Sequence, residues 1–206
     1  ISMAVIPIMM RLATALRMVD EPDEERKVHT IAVPRVGGWG MVLGTIIAIS
    51  LFLEIDSAVG WYLIGSLVLL GFGAKDDQAD IGHYPKFLGQ FLGVIPLVVL
   101  GGVQVEQLPF IDAVLPGYIA IPFTVIAMVG AINALNHSDG LDGLAGGEAL
   151  LSLSALTLIG LSTGLPLVTY ISLASIGGIL GFLRFNTHPA RVFMGDSGSQ
   201  FLGFTV

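Results

Sequence analysis

Residues 149–183 carry no charged side chain over 35 consecutive positions, and that run decides much of what this chain can become. A helix needs about 17–25 residues to cross the hydrocarbon of a bilayer, so the run is too long for one crossing and long enough for two. Gly160, Gly164 and Pro166 mark the break, because glycine and proline end one helix and open the next. Further apolar runs cover 37–53, 58–74, 87–103 and 113–135. They are continuous, without the period-2 alternation of barrel strands, and so predict helices. The stretch before residue 20, with Arg11 and Arg17 at its membrane-surface end, and the run that opens at Phe201 bring the expectation to about eight spans. The expected fold is all-α: a polytopic transmembrane helical bundle forming one integral membrane domain over 1–206, read as a fragment truncated at both ends. Only 12% of residues are charged, against roughly 25% in soluble domains. Cysteine is absent, which excludes disulfides and thiolate metal sites.

Counting spans assigns the intervening segments to two sides. One side receives 20–36, 75–86, 136–148 and 184–196; the other receives 54–57, 104–116 and the turn at 161–165. Arg26, Lys27, Arg35, Lys75, Lys86, Arg184 and Arg191 fall on the first side. The second has only Glu54, Asp56, Glu106 and Asp112. Basic loops stay in the cytoplasm, so the first side is predicted to be cytoplasmic. The acids Asp20, Glu21, Asp23, Glu24 and Glu25 read as a solvated loop that supplies much of the net charge of −7.

Four polar islands lie on that same side: Lys75-Asp76-Asp77, Asn133 to Asn136, Asp139 to Gly143, and Met194 to Ser199. Carboxylates at the edge of a bilayer are costly unless they are used. Asp76, Asp77, Asp139, Asp142 and Asp196 would repel one another unless basic groups or a divalent cation intervened. Acids, nearby Arg and Lys, and an oxygen-liganded Mg2+ describe a site for phosphorylated substrates. The structural alternative is helix capping, with Asp139 and Asp142 ahead of the run near Leu144 and Asp196 ahead of the run that opens with Ser197. Gly40/Gly44, Gly89/Gly93 and Gly177/Gly181 have the spacing of helix-packing pairs. Trp39, Trp61 and Tyr62 fit interfacial anchors.

The motifs Arg26-Lys27-Val28-His29 and Pro34-Arg35-Val36-Gly37-Gly38 come first, followed by Asp76-Asp77 with Pro85-Lys86 and Gln90. Asn133 to Gly147, Phe185-Asn186 with Pro189-Ala190, and Phe193 to Gly203 complete the set. In this order they resemble the polyprenyl-phosphate N-acetylhexosamine-1-phosphate transferases, over residues 20 to 203. The first two motifs are more similar to the undecaprenyl-phosphate GlcNAc-1-phosphate branch than to the muramyl-pentapeptide branch. The family's histidine-rich cytoplasmic motif does not occur by Val206 and is expected in sequence beyond it. His137-Ser138 departs from the apolar or threonine residues more common there.

The resemblance implies an Mg2+-dependent transferase, with Mn2+ as the alternative metal. It would move an N-acetylhexosamine 1-phosphate, GlcNAc 1-phosphate being favoured, from a UDP-N-acetylhexosamine to undecaprenyl phosphate. UMP would leave, at the cytoplasmic face of the bacterial inner membrane. The resemblance assigns metal ligation to Asp196 with Asp77, and catalytic roles to Asp76, Asp77, Asp139 and Asp142. It assigns substrate contacts to Lys27, His29, Arg35, Lys86, Asn133, Asn136 and Arg191. The expected partners are the two substrates, membrane lipid and a second copy of the chain in a homodimer, and no nucleic acid. The competing readings are a cation transporter with a cytoplasmic-side carboxylate site and a non-catalytic scaffold. Transporter sites sit near the bilayer midplane, whereas these acids lie at span ends.

Overall fold

A computed structural model describes residues 1–20, 32–108 and 111–206. Eight helices run through the described residues: α1 (Ser2–Leu12), α2 (Gly37–Phe52), α3 (Ser57–Ala79), α4 (His83–Val99), α5 (Gly117–Ser138), α6 (Leu144–Thr163), α7 (Pro166–Asn186) and α8 (Gly195–Thr205). Four of them, α3, α5, α6 and α7, are long and apolar enough to cross a membrane. The predicted break falls between α6 and α7. Gly164, at a φ of 68°, closes α6, and Pro166 opens α7, where its missing N–H costs nothing.

The apolar runs understate two helices. α3 continues past Ala74 through Lys75, Asp76 and Asp77 to Ala79, and α5 carries Asn133 and Asn136 within its last turns. α8 begins at Gly195 rather than Phe201, so Asp196 lies in its first turn. α5 starts at Gly117 and not at residue 113, because a short antiparallel hairpin, β3 (Gln107–Leu108) with β4 (Ile111–Val114), precedes it. A second two-stranded pairing, β1 (Val19–Asp20) with β2 (Val33–Pro34), lies at the entrance to α2. Neither hairpin has a sequence signal longer than a few residues.

α8 is the axis of the bundle. Every residue from Ser197 to Phe204 is buried, with α2, α3 and α5 packed around it. Backbone-to-backbone approach makes this possible. A Cβ on Gly38 would lie 2.4 Å from Gly198 N, one on Gly73 would lie 2.4 Å from Ser197 Cα, and one on Gly203 would lie 2.4 Å from Ile132 Cα. Small residues at such crossings bring helices close enough for van der Waals packing to hold them in lipid. Gly73→Ala is therefore expected to cost about 1–3 kcal/mol, seen as a lowered melting temperature in detergent. Gly71→Ala is the control, since its added Cβ meets nothing within 4 Å.

The predicted glycine pairs hold with one exception. Gly40 and Gly44 face Ile6 and Ser2 of α1, while Gly89 and Gly93 face Phe72 and Gly65 of α3. Gly181 packs on Ser2, but a Cβ on Gly177 would enter open space. Gly178 takes its place: a Cβ there would lie 2.7 Å from Thr45 Oγ1. Residues three apart share a helix face as well as residues four apart do, and here the i,i+3 pair is the one turned inward. Tyr62 is no interfacial anchor: it is buried, stacked on Phe204 at 5.5 Å and hydrogen-bonded to Thr205.

Candidate active site

The ends of α3, α5 and α7 and the start of α8 meet at one end of the bundle, together with the entrance to α2. Gly37 N and Gly38 N donate to the carbonyls of Phe193 and Met194 (2.9 Å each), and Phe193 N donates to Pro34 O (2.8 Å). These bonds tie the 187–194 connection to the α2 entrance. Asn186, buried at the end of α7, accepts from Gly143 N through Oδ1 (2.8 Å) and donates through Nδ2 to Val192 O (2.9 Å). One amide thus clamps the 139–143 and 187–194 loops together.

Asp76 and Asp77 are adjacent on α3 and turned about 100° apart by the helix, so they do different work. Asp76 Oδ1 accepts from Ile81 N at 2.9 Å, and its Oδ2 lies 2.5 Å from Lys86 Nζ on α4. The same ammonium reaches Asp196 Oδ2 at 3.0 Å. Asn136 of α5 donates to Asp196 Oδ1 and sits 2.8 Å from Ser199 Oγ. The Asp196 carboxylate is therefore held from two helices, and Lys86 bridges it to Asp76.

Asp77 points instead at the backbone that starts α8. Asp196 N donates to its Oδ1 (2.8 Å) and Ser197 N to its Oδ2 (3.2 Å). The first N–H groups of a helix have no partner within it, and a carboxylate beside them also meets the positive end of the helix dipole. Asp77 is thus an N-terminal cap delivered from another helix. Asp196 itself caps nothing, and neither does Asp139 or Asp142, since α6 opens on Gly143 without a side-chain cap.

Asp142 Oδ2 accepts from Ala190 N at 3.0 Å and lies 2.9 Å from His188 Nδ1, which fixes the loop between α7 and α8. Asp139, just past the end of α5, has its carboxyl pushed up to about 7, by burial first and by the charge of Asp196 second, against the pull of Arg35. Arg35 pairs with Asp20. Asp20 is buried, which removes it from the solvated acidic loop expected around it. Arg191 is exposed on the rim. Asn133 sits on α5 one turn before Asn136 and bonds to Gln90. Lys27 and His29 lie outside the described residues.

A carboxyl that titrates near 7 in the fold and near 3.8 when unfolded binds a proton in the folded state that the unfolded state lacks between those values. Stability from this group is present below the unfolded value and is lost as pH rises towards 7. The wild-type melting temperature is expected to fall from pH 5 to pH 8, and Asp139→Asn to flatten part of that slope. An unchanged slope would mean that other groups carry it.

Two carboxylates, Asp76 and Asp196, converge on a single cation. No group of three or more His, Cys, Asp or Glu side chains poised around a metal exists among the described residues. Mg2+ is commonly held by one or two carboxylates completed by substrate phosphates, so the oxygen donors here fit that ion. Gln90, Ser199 and Asn186 belong to the site as well. Spacing points to the first two: Gln90 is one helical turn from Lys86, and Ser199 is three residues from Asp196.

The chain matches the model of glycosyl transferase family 4 over residues 59–206. It is 36% identical, over 98% of its length and 57% of the relative's, to a probable undecaprenyl-phosphate N-acetylglucosaminyl 1-phosphate transferase of Bacillus subtilis (strain 168). It is 35% identical to a decaprenyl-phosphate N-acetylglucosaminephosphotransferase of Mycobacterium leprae (strain TN), covering 95% of this chain and 54% of that one. A phospho-N-acetylmuramoyl-pentapeptide-transferase of Chlamydia muridarum (strain MoPn / Nigg) is 34% identical over 89% of this chain and 61% of its own. The chain thus spans little more than half the length of these curated relatives. The apolar helices, the polar cluster at one end of the bundle and these matches agree: the chain is a membrane protein that belongs to glycosyl transferase family 4.

Proposed function

We propose that this protein transfers an N-acetylhexosamine 1-phosphate, with GlcNAc 1-phosphate favoured, from a UDP-sugar to undecaprenyl phosphate. The site faces the cytoplasm at the bacterial inner membrane, and the reaction is the first step of a lipid-linked surface glycan. The observation that carries the reading is the Asp76–Lys86–Asp196 bridge at the end of the bundle, where a soluble donor and a membrane lipid can meet. The names of the relatives point the same way. A cation transporter would place its acids near the middle of the membrane, whereas these occupy the last turns of α3 and the first turn of α8.

An oxygen of the lipid phosphate forms a bond to the β-phosphorus of the donor, and the bond from that phosphorus to the bridging oxygen breaks as UMP leaves. Phosphoryl transfer asks a protein mainly for positioning and charge neutralisation. Asp196 would hold Mg2+ with Asp76 supplying the second carboxylate, since both oxygens of Asp77 already accept α8 backbone N–H groups. The bound ion, or Mn2+ in its place, would supply neutralising charge at the diphosphate. Lys86 adds a second positive charge at the same point. Asn136 keeps the Asp196 carboxylate oriented. A phosphate monoester has a second pKa of about 6, so the nucleophile is already ionised and Asp76 orients it without removing a proton. Arg35, Asp139 and Arg191 would line the donor side, with Lys27 and His29 contributing from the 20–36 segment.

The test is UMP release from UDP-GlcNAc and undecaprenyl phosphate by the protein in membranes, with Mg2+ or with EDTA. Metal-dependent release is expected. Release from a different UDP-sugar alone would change the substrate, and no release from any donor would overturn the reading.

A further inference from the structure

Beneath the three side chains that meet at Asp196 lies a second layer of three amides, one turn deeper on each helix. On α4, Gln90 follows Lys86 by four residues. On α5, Asn133 precedes Asn136 by three, and on α8, Gln200 follows Asp196 by four, so each amide shares a face with the group above it. Gln90 and Asn133 bond reciprocally: Asn133 Nδ2 donates to Gln90 Oε1 at 2.8 Å, and Gln90 Nε2 to Asn133 Oδ1 at 3.4 Å. Asn133 Nδ2 also donates to Val129 O at 2.8 Å. Both amide protons of Asn133 and one acceptor position are thus engaged inside the protein. Gln90 and Gln200 are each 1% exposed, and the Gln200 amide finds no partner on either atom among the described residues.

A buried unpaired amide is expensive, and replacing one by an apolar side chain of similar shape is usually neutral or stabilising. Three amides in one layer, two of them locked together, call for a use. We propose that Gln90 and Asn133 are positioning residues. Their amide pair fixes α4 against α5 so that Lys86 and Asn136 arrive together on Asp196. Asn133 then acts through Asn136 and the helix register and makes no contact with the nucleotide sugar. α4 and α5 are separated in sequence by the 100–116 connection, whose described residues contain no regular structure beyond β3 and β4. Their relative height therefore rests on contacts between the helices, of which this amide pair is the polar one closest to the site. The inference rests on the transferase reading, and wild-type activity in the same assay separates the two: if wild type releases no UMP, that reading fails first.

The experiment measures kcat and KM for the UDP-sugar, UMP binding and the melting temperature. It uses the full protein carrying Gln90→Leu, Asn133→Leu, both together, or the exchange Gln90→Asn with Asn133→Gln. Each single change is expected to lower kcat by about 10- to 100-fold, as sub-ångström misplacement of a reacting group does, with KM and UMP affinity within about 2-fold of wild type. The double change should be no worse than the poorer single, and the exchange should restore most of kcat. If the leucine variants fail to fold, the exchange alone decides. Loss of activity in the exchange, additive effects in the double, or a raised KM confined to the Asn133 variants would overturn the proposal in favour of direct substrate contact by Asn133.

Discussion

Asp196→Asn is expected to lower UMP release by about two to three orders of magnitude, the size of loss seen when one preorganised charge-stabilising group is removed. Asparagine keeps the shape of aspartate and one acceptor oxygen, so Asn136 or Lys86 retains a partner and α8 stays in place. What disappears is the negative charge opposite Asp76 that makes a cation site of the pair. The readout that separates chemistry from folding is helical content and melting temperature beside activity: the first two should stay close to wild type while the third collapses. Substantial residual turnover would show that Asp76 alone gathers enough positive charge for the reaction.

Asp77→Ala should do damage of a different kind. Both of its oxygens accept backbone N–H groups of α8, and hydrogen bonds to a charged group contribute about 1.5–3 kcal/mol each. Removing them leaves the first N–H groups of α8 unpaired in the protein interior and frees the backbone that carries Asp196. Activity and melting temperature should therefore fall together, with activity down by about 100-fold from displacement of the reacting geometry. Asp77→Asn, which keeps one acceptor, should retain more of both. A variant that loses turnover at an unchanged melting temperature would instead place Asp77 among the groups that touch substrate or metal.

Asp77 has Asp76 as its neighbour in sequence, and the difference between those two acids marks the limit of what the sequence reveals. An acidic pair at the end of an apolar run identifies a site. The division of labour between the two carboxylates depends on Asp196 and Ser197, 119 and 120 positions beyond Asp77, and no local pattern carries that information. The same holds for Asp20: inside a run of acids it reads as solvated, yet it pairs with β2, meets Arg35 and is buried. Helices, their order and the break near Gly164 are legible because lipid demands long apolar runs and glycine and proline interrupt them. Helix ends are less so, because α3 and α5 continue past the last residues of their apolar runs to present Asp76, Asp77 and Asn136 on ordered backbone. Polar residues in a terminal turn look like loop until their partners are known. The central place of α8 is hidden as well, since its short, glycine-rich sequence gives no hint that three other helices close around it.

That placement bears on how the protein is made. α2, α3 and α5 leave the ribosome before α8, and the faces they present to it, around Gly38, Gly73 and Ile132, lack that partner until it arrives. Insertion of the earlier helices thus produces a bundle with an open trench, and the last described helix closes it like a keystone. Asp76 and Lys86 are synthesised early, but their partner Asp196 is delivered only with that closing step. On the transferase reading, a chain stalled before Gly195 should insert into the membrane, bind no UMP, and be recognised by membrane proteases through the unfilled trench.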